Sequence, residues 1–191
     1  EVKERILTIA LGEFSRLGFR NVRTDELAQK IGISKRTLYE HFPSKEQLFE
    51  EVVDRELDKL RKLIDDIVVR IESDSNVNLI DELRKIWQID ASSSINSTQT
   101  FFNDVQKFTP QIWSKISKFR QNVIEANFTR IYNIGVKQGI FRSDLNVDIL
   151  SLVHITIVQQ ILNPEVLLTL NYSPNEVLDS IYSLLFRGVL T

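Results

Sequence analysis

The side chains with most chemistry to offer stand close together between positions 23 and 45: Arg23, Thr24, Lys35, Arg36, Thr37, Tyr39, His41 and Lys45. Guanidinium, ammonium, hydroxyl and imidazole groups in so short a span suit hydrogen bonding to phosphates and base edges. From Arg16 to Lys45 there are seven Lys or Arg against three acids, in a chain whose net charge is −2. Positive charge is concentrated in one segment, which is the footprint of a polyanionic partner.

These groups need a scaffold, and the neighbouring residues encode one. Leu27, Ala28 and Ile31 form the apolar face of a short helix, Gly32 supplies a tight turn, and Ser34 is a good N-cap for a second helix. At roughly 100° per residue, Leu38 and Phe42 fall on the core side of that second helix, while Arg36, Thr37 and Glu40 point away. Tyr39 and His41 lie on the flanks, and Lys35 sits in the first turn, from which a recognition helix reaches bases or phosphates. A pair of short helices around a glycine is also common in helical proteins that bind no DNA. The basic side chains favour a helix-turn-helix.

Ile6, Ala10, Phe14, Gly18-Phe19, Leu27-Ala28, Gly32-Ile33-Ser34, Leu38-Tyr39, His41-Phe42 and Ser44-Lys45 stand at matching spacing over roughly the first 50 residues. In this the chain resembles the N-terminal domain of the TetR family of transcriptional regulators. The resemblance implies that Tyr39, His41 and Lys45 grip phosphates and that Lys35, Arg36 and Thr37 read or approach bases. Arg23 stands where the family usually has Thr or Ser, so the helix cap is expected to pass to Thr24 and the phosphate contact to become ionic. Arg36 replaces a frequent glycine and has the geometry to bind guanine bidentately, whereas Glu40 repels phosphate unless it accepts from cytosine or an arginine.

Beyond this segment helical signals dominate. Residues 3 to 17 form a first helix, and Ser44 with Gln47 makes a capping box that opens a long helix striped by Phe49, Val53, Leu57, Leu60, Ile64, Ile67 and Ile71. Ser73 to Asn76 breaks it. Further helices are expected over 78–91, 97–108 and 110–138, the last closed by Gly139. Asn146 caps a helix through Leu162, and Ser173 to Glu176 caps a last one that runs to about Gly188. The expected fold is all-α. A three-helix helix-turn-helix DNA-binding domain, residues 1–45, joins through the long helix to a helical effector-binding and dimerisation domain, residues 46–191.

The last two helices carry more apolar surface than one core requires. Val153, Ile157, Ile161, Val177, Ile181, Leu184 and Leu185 are the expected face of a homodimer, the alternative being a central position in a monomer. Reading both halves of a palindrome needs two-fold symmetry, with recognition helices roughly 34–36 Å apart or a multiple of that. Aromatic residues cluster in the same region. From the resemblance, Trp87, Phe102, Trp113, Phe128 and Tyr132, with His154 as a polar handle, are candidates for a pocket that takes a small apolar effector. Core packing is the other reading of each, and a buried, satisfied His154 fits it.

At 191 residues and 42% hydrophobic content the chain can bury a substantial core. It has no cysteine and only His41 and His154, so no disulfide frame or metal centre is expected, and no cofactor. No apolar run approaches a membrane span and no signal-like start is present, so the expected location is the cytoplasm. Asp65-Asp66 and Asp81-Glu82 read as solvated helix surface, and no nucleophile and base share a suggestive spacing. The reading is a homodimeric repressor of a palindromic double-stranded operator, released by a small molecule. Its rival is an effector-free DNA-binding protein for chromosome organisation or protein recruitment.

Overall fold

In the computed structural model, which describes residues 1–74, 76–95, 99–157, 160, 166, 169–170, 172 and 174–189, the apolar stripes of the sequence become helices. They are α1 (Val2–Asn21), α2 (Thr24–Ile31), α3 (Lys35–His41), α4 (Lys45–Ser73), α5 (Leu79–Ile95), α6 (Gln99–Phe108), α7 (Pro110–Lys137), α8 (Val147–Thr156) and α9 (Pro174–Val189). The fold is all-α, as expected. Two compact units divide the chain, residues 1–59 with 96–116 and residues 60–95 with 117–191, and α4 and α7 each contribute residues to both.

In the first unit, Ile6, Ala10 and Phe14 of α1 are completely buried. The helical course breaks at Gly18, whose φ of 78° and ψ of 168° place it where only glycine sits without strain, so the expected end near residue 17 marks a real kink. Phe14, Phe42, Phe49, Leu27, Leu38 and Leu48 fill the core with almost no exposure. Phe14 and Phe49 meet edge to face at 4.7 Å, and Phe101 of α6 adds a further edge contact to Phe49 at 5.7 Å. Each such buried ring contributes about 1.5–3 kcal/mol through apolar burial. The helix α6 also holds α1 by a polar tie: the Arg20 N–H donates to the Asp104 carboxylate at 2.7 Å.

In the second unit, Ile64, Ile67, Val68 and Ile71 of α4 pack with Leu79 and Leu83 of α5, Ile131 and Tyr132 of α7, and Phe141. Gly139, at φ 70°, closes α7. Gly135 admits the ring of Phe141, for a Cβ there would lie 2.2 Å from it. The Arg142 N–H donates to the Val189 carbonyl at 2.8 Å and so ties this corner to the end of α9. Asn146 caps α8 as expected, accepting from the N–H groups of Asp148 and Ile149 at 3.0 and 3.1 Å.

The fifth helix differs from expectation at its end, running to Ile95 rather than residue 91. Of the helix expected from Asn146 through Leu162, residues 158, 159, 161 and 162 lie outside the described residues. Ile161, expected on the dimer face, lies outside the described residues. Among the described residues, no helix is long and apolar enough to cross a membrane.

Candidate functional site

The recognition face is built on a firmly capped helix. Ser34 Oγ accepts the Thr37 N–H at 3.0 Å and fixes the first turn of α3, while Gly32 at φ 78° and ψ 37° ends α2. Leu38 is buried, which turns Lys35, Arg36, Tyr39 and Glu40 to the surface.

Arg36 is the most prominent of these, with 90% of its side chain exposed. Its Nε donates to Glu40 Oε1 at 3.0 Å, one turn on, which draws the guanidinium over the outer face of α3. The carboxylate that seemed a liability toward phosphate is thereby paired. Tyr39 Oη and Thr24 Oγ1 lie 3.1 Å apart and join the side of α3 to the first turn of α2. Asp25 is held below the usual carboxylate range, first by its own backbone N–H and then by the charges of Arg23 and Lys35. Lys35, Arg23 and that acid therefore share one electrostatic neighbourhood.

Three expected roles change in detail. Arg23, not Thr24, occupies the N-cap position of α2; its backbone is extended, and its guanidinium pairs with Asp25 at 3.3 Å and Glu26 at 3.6 Å instead of capping. Thr24 is the first helical residue. The Thr37 hydroxyl turns back to Ser34 Oγ at 2.9 Å, so its hydrogen bonding belongs to the cap. Lys45 is half-buried: its Nζ donates to the Arg20 carbonyl at 3.2 Å and sits 4.6 Å from the centre of the Phe19 ring. Burial pushes that ammonium below the ordinary lysine value. His41 is exposed at the end of α3.

A second candidate site is a cavity of about 130 Å³ inside the second unit. Phe128, Tyr132 and His154 line it together, with Phe141, Asn127 and Leu185 among their neighbours. Trp113 does not. It lies in the part of α7 that belongs to the first unit and packs against that core beside Ile112 and Ile116. The side chains of Trp87 and Phe102 lie outside the described residues. The sequence named three of the fourteen described lining residues and missed Phe141 and the aliphatic members, because Ile64, Leu83 and Val189 look like any other core positions in the sequence.

The expected dimer face also separates. Val153 and Leu184 are exposed, joined by Ile149 and Leu152, but Val177 is buried by its own chain and Leu185 faces the cavity. Ile157 and Ile181 are half-buried. Within the single chain Val177 is buried and Leu185 half-buried, so Val153 and Leu184 are the members of the expected face left most open.

Comparison with known proteins bears on this arrangement. Residues 6–52 match the family described as bacterial regulatory proteins, tetR family. The chain is 26% identical over 186 residues to the HTH-type transcriptional regulator YvaF of Bacillus subtilis, covering 97% of this chain and 94% of that protein. It is 27% identical over 147 residues to the HTH-type transcriptional repressor KstR2 of Mycobacterium tuberculosis, covering 75% and 71%. The solved structure of KstR2, a ketosteroid transcriptional regulator, covers 100% of this chain and 96% of its own at a TM-score of 0.60 and 22% identity, a likeness of fold. These relatives are transcriptional regulators, not enzymes.

Proposed function

The chain is a transcriptional regulator of the TetR family, carrying that family's DNA-binding domain at residues 6–52, and from that premise we propose that it is a homodimeric repressor released from a palindromic operator by a small apolar effector. Residues 1–45 carry the DNA contacts and residues 46–191 the effector and the partner copy. The observation that carries the DNA reading is the outward Arg36 and Lys35 on a helix whose start is locked by Ser34. Such a helix presents donors to the major groove while Tyr39 and His41 flank it for phosphate contact. Repression is supported by the similarity to a protein named a repressor.

The dimer reading is supported by exposed apolar side chains on the last two helices, Leu184 at 75%, Leu152 at 63% and Ile149 at 61% exposure. Large apolar side chains left to solvent in this way favour a partner. The effector reading is supported by the cavity, which a protein serving only to organise DNA has no need to keep. A single helix, α4, carries both Lys45 and Ile64, one at the DNA-binding end and one on the cavity lining. A ligand that prefers the DNA-incompetent arrangement, with a coupling of about 1–3 kcal/mol, weakens operator binding roughly 5–150-fold.

Selection of bound sequences from a random duplex library tests the reading. A palindrome of fixed spacing is expected. Salt-sensitive binding without sequence preference would favour the DNA-organising rival instead.

A further inference from the structure

The cavity of the second unit has a size, a charge and a wall chemistry that together select a ligand class; the inference rests on the reading that this cavity is the effector site. Its volume of about 130 Å³ is near that of an engineered apolar cavity of about 150 Å³ that takes up benzene. One ring fits such a space.

Charge comes next. None of the described lining residues is Lys, Arg, Asp or Glu. The three arginines next in sequence to lining residues are paired with acids: Arg84 lies 3.5 Å from Asp81, Arg130 holds Glu72 through two bonds of 2.9 and 2.7 Å, and Arg142 holds Asp144 through two of 3.0 and 2.6 Å. Against these described residues a carboxylate would lose its water without gaining a lysine or arginine partner, a cost that apolar contacts do not offset.

Two polar side chains of the wall are also engaged with the protein itself. Tyr132 Oη donates to the Arg142 carbonyl. Asn127 Nδ2 donates to the Val123 carbonyl at 3.0 Å, and its Oδ1 accepts from Arg130 at 3.3 Å. What the wall offers a guest is ring surface. Phe128 and Tyr132 are nearly parallel at 6.5 Å, Tyr132 and Phe141 lie 5.8 Å apart, and His154 is 5.4 Å from Phe128. Such faces and edges favour an aromatic guest in offset or edge-on contact.

We infer that the ligand of this cavity is an uncharged single-ring aromatic hydrocarbon, or its alkylated or halogenated derivative, and that carboxylates of the same size are refused. Titration calorimetry on the intact chain, without DNA, compares toluene with benzoate. The expected result is one toluene bound per chain and no benzoate bound at the same concentration. Ile124→Phe and Leu83→Phe each fill part of the cavity, and each is expected to lower toluene affinity at least tenfold while circular dichroism stays that of the parent. Nuclear Overhauser contacts from bound toluene to Phe128 and Ile131 locate the ligand without any substitution. Benzoate binding as well as toluene, contacts to other residues, or no toluene binding at its aqueous saturation would each overturn the inference. Operator release is read separately by fluorescence anisotropy. Bound toluene that leaves the DNA complex intact would strike the effector reading, not the ligand class.

Discussion

Tyr39 of α3 and Thr24 of α2 share a hydrogen bond of 3.1 Å between their hydroxyls, although both lie at the surface and 15 residues apart in the chain. It links the two helices at the side that faces DNA in the proposed complex, so the phenol has two tasks: to position the start of α2 and to meet a phosphate. Tyr39→Phe removes both and leaves the ring. The expected outcome is a loss of affinity of about 0.5–1.5 kcal/mol on every duplex alike, with the preferred sequence unchanged. Anisotropy titrations on specific and random duplexes check it, and a loss confined to the specific site would refute the phosphate role.

Arg36→Ala is expected to behave differently. Its guanidinium stands outward and is aimed by Glu40, so its removal should cost about 1–3 kcal/mol on the operator and relax preference at one position of each half-site. Glu40→Gln keeps the reach of the side chain and removes the charge that holds Arg36, and a smaller loss at the same position is expected. Library selection with each variant reads both. Equal weakening on all sequences would remove Arg36 from base reading.

The boundary between what the sequence disclosed and what it hid follows the range of the interactions. The Ser34 and Asn146 caps, the Gly32 turn and the stripe of α4 depend on residues within a few positions of each other, and all stood where local chemistry puts them. Lys45 bonded to the Arg20 carbonyl and Asp104 accepting from Arg20 join residues 25 and 84 positions apart, which no local rule reaches. The same distance problem governed the pocket. Trp113 and Phe128 share α7 and look equivalent in the sequence, yet they pack in different units because the division of the chain falls between them.

Gly135→Ala tests the close packing at the α7 corner. A methyl there meets the buried Phe141 ring at 2.2 Å, and the ring must shift because it is hemmed in by Tyr132. Overpacking of this kind is expected to cost about 1–3 kcal/mol. Phe141 also lines the cavity, so toluene uptake should fall in the same variant. Urea unfolding and calorimetry measure the two effects. Unchanged stability would mean that the corner yields easily.

Glu82 gives the second unit a dependence on acid. The hydrogen bond from Lys85 comes first, followed by that from Arg70, in holding its carboxyl below the usual value of 4.5. A carboxyl whose folded value is depressed stabilises the fold above its unfolded value, and that contribution disappears as pH falls through the folded one. Glu82→Gln should therefore flatten the decline in melting temperature below about pH 4.5. At neutral pH it should cost under about 1 kcal/mol, because both cations are half exposed. An identical acid profile in parent and variant would assign the acid sensitivity to other carboxyls.

Leu184 separates assembly from folding. Three quarters of it is exposed in the chain itself, so Leu184→Glu removes little internal packing and should change the stability of a lone chain by less than about 0.5 kcal/mol. In the proposed dimer the same carboxylate meets its own copy across a two-fold axis in an apolar surface, where both repulsion and lost water oppose association. Sedimentation velocity is expected to show a folded monomer where the parent is a dimer. Operator affinity should fall steeply as well, because two half-sites are then bound by two independent chains. Val177→Glu makes the contrast: that side chain is already buried by its own chain, so the substitution should unfold the second unit rather than release a folded monomer. A Leu184→Glu protein that remains dimeric would move the interface away from this face of α9.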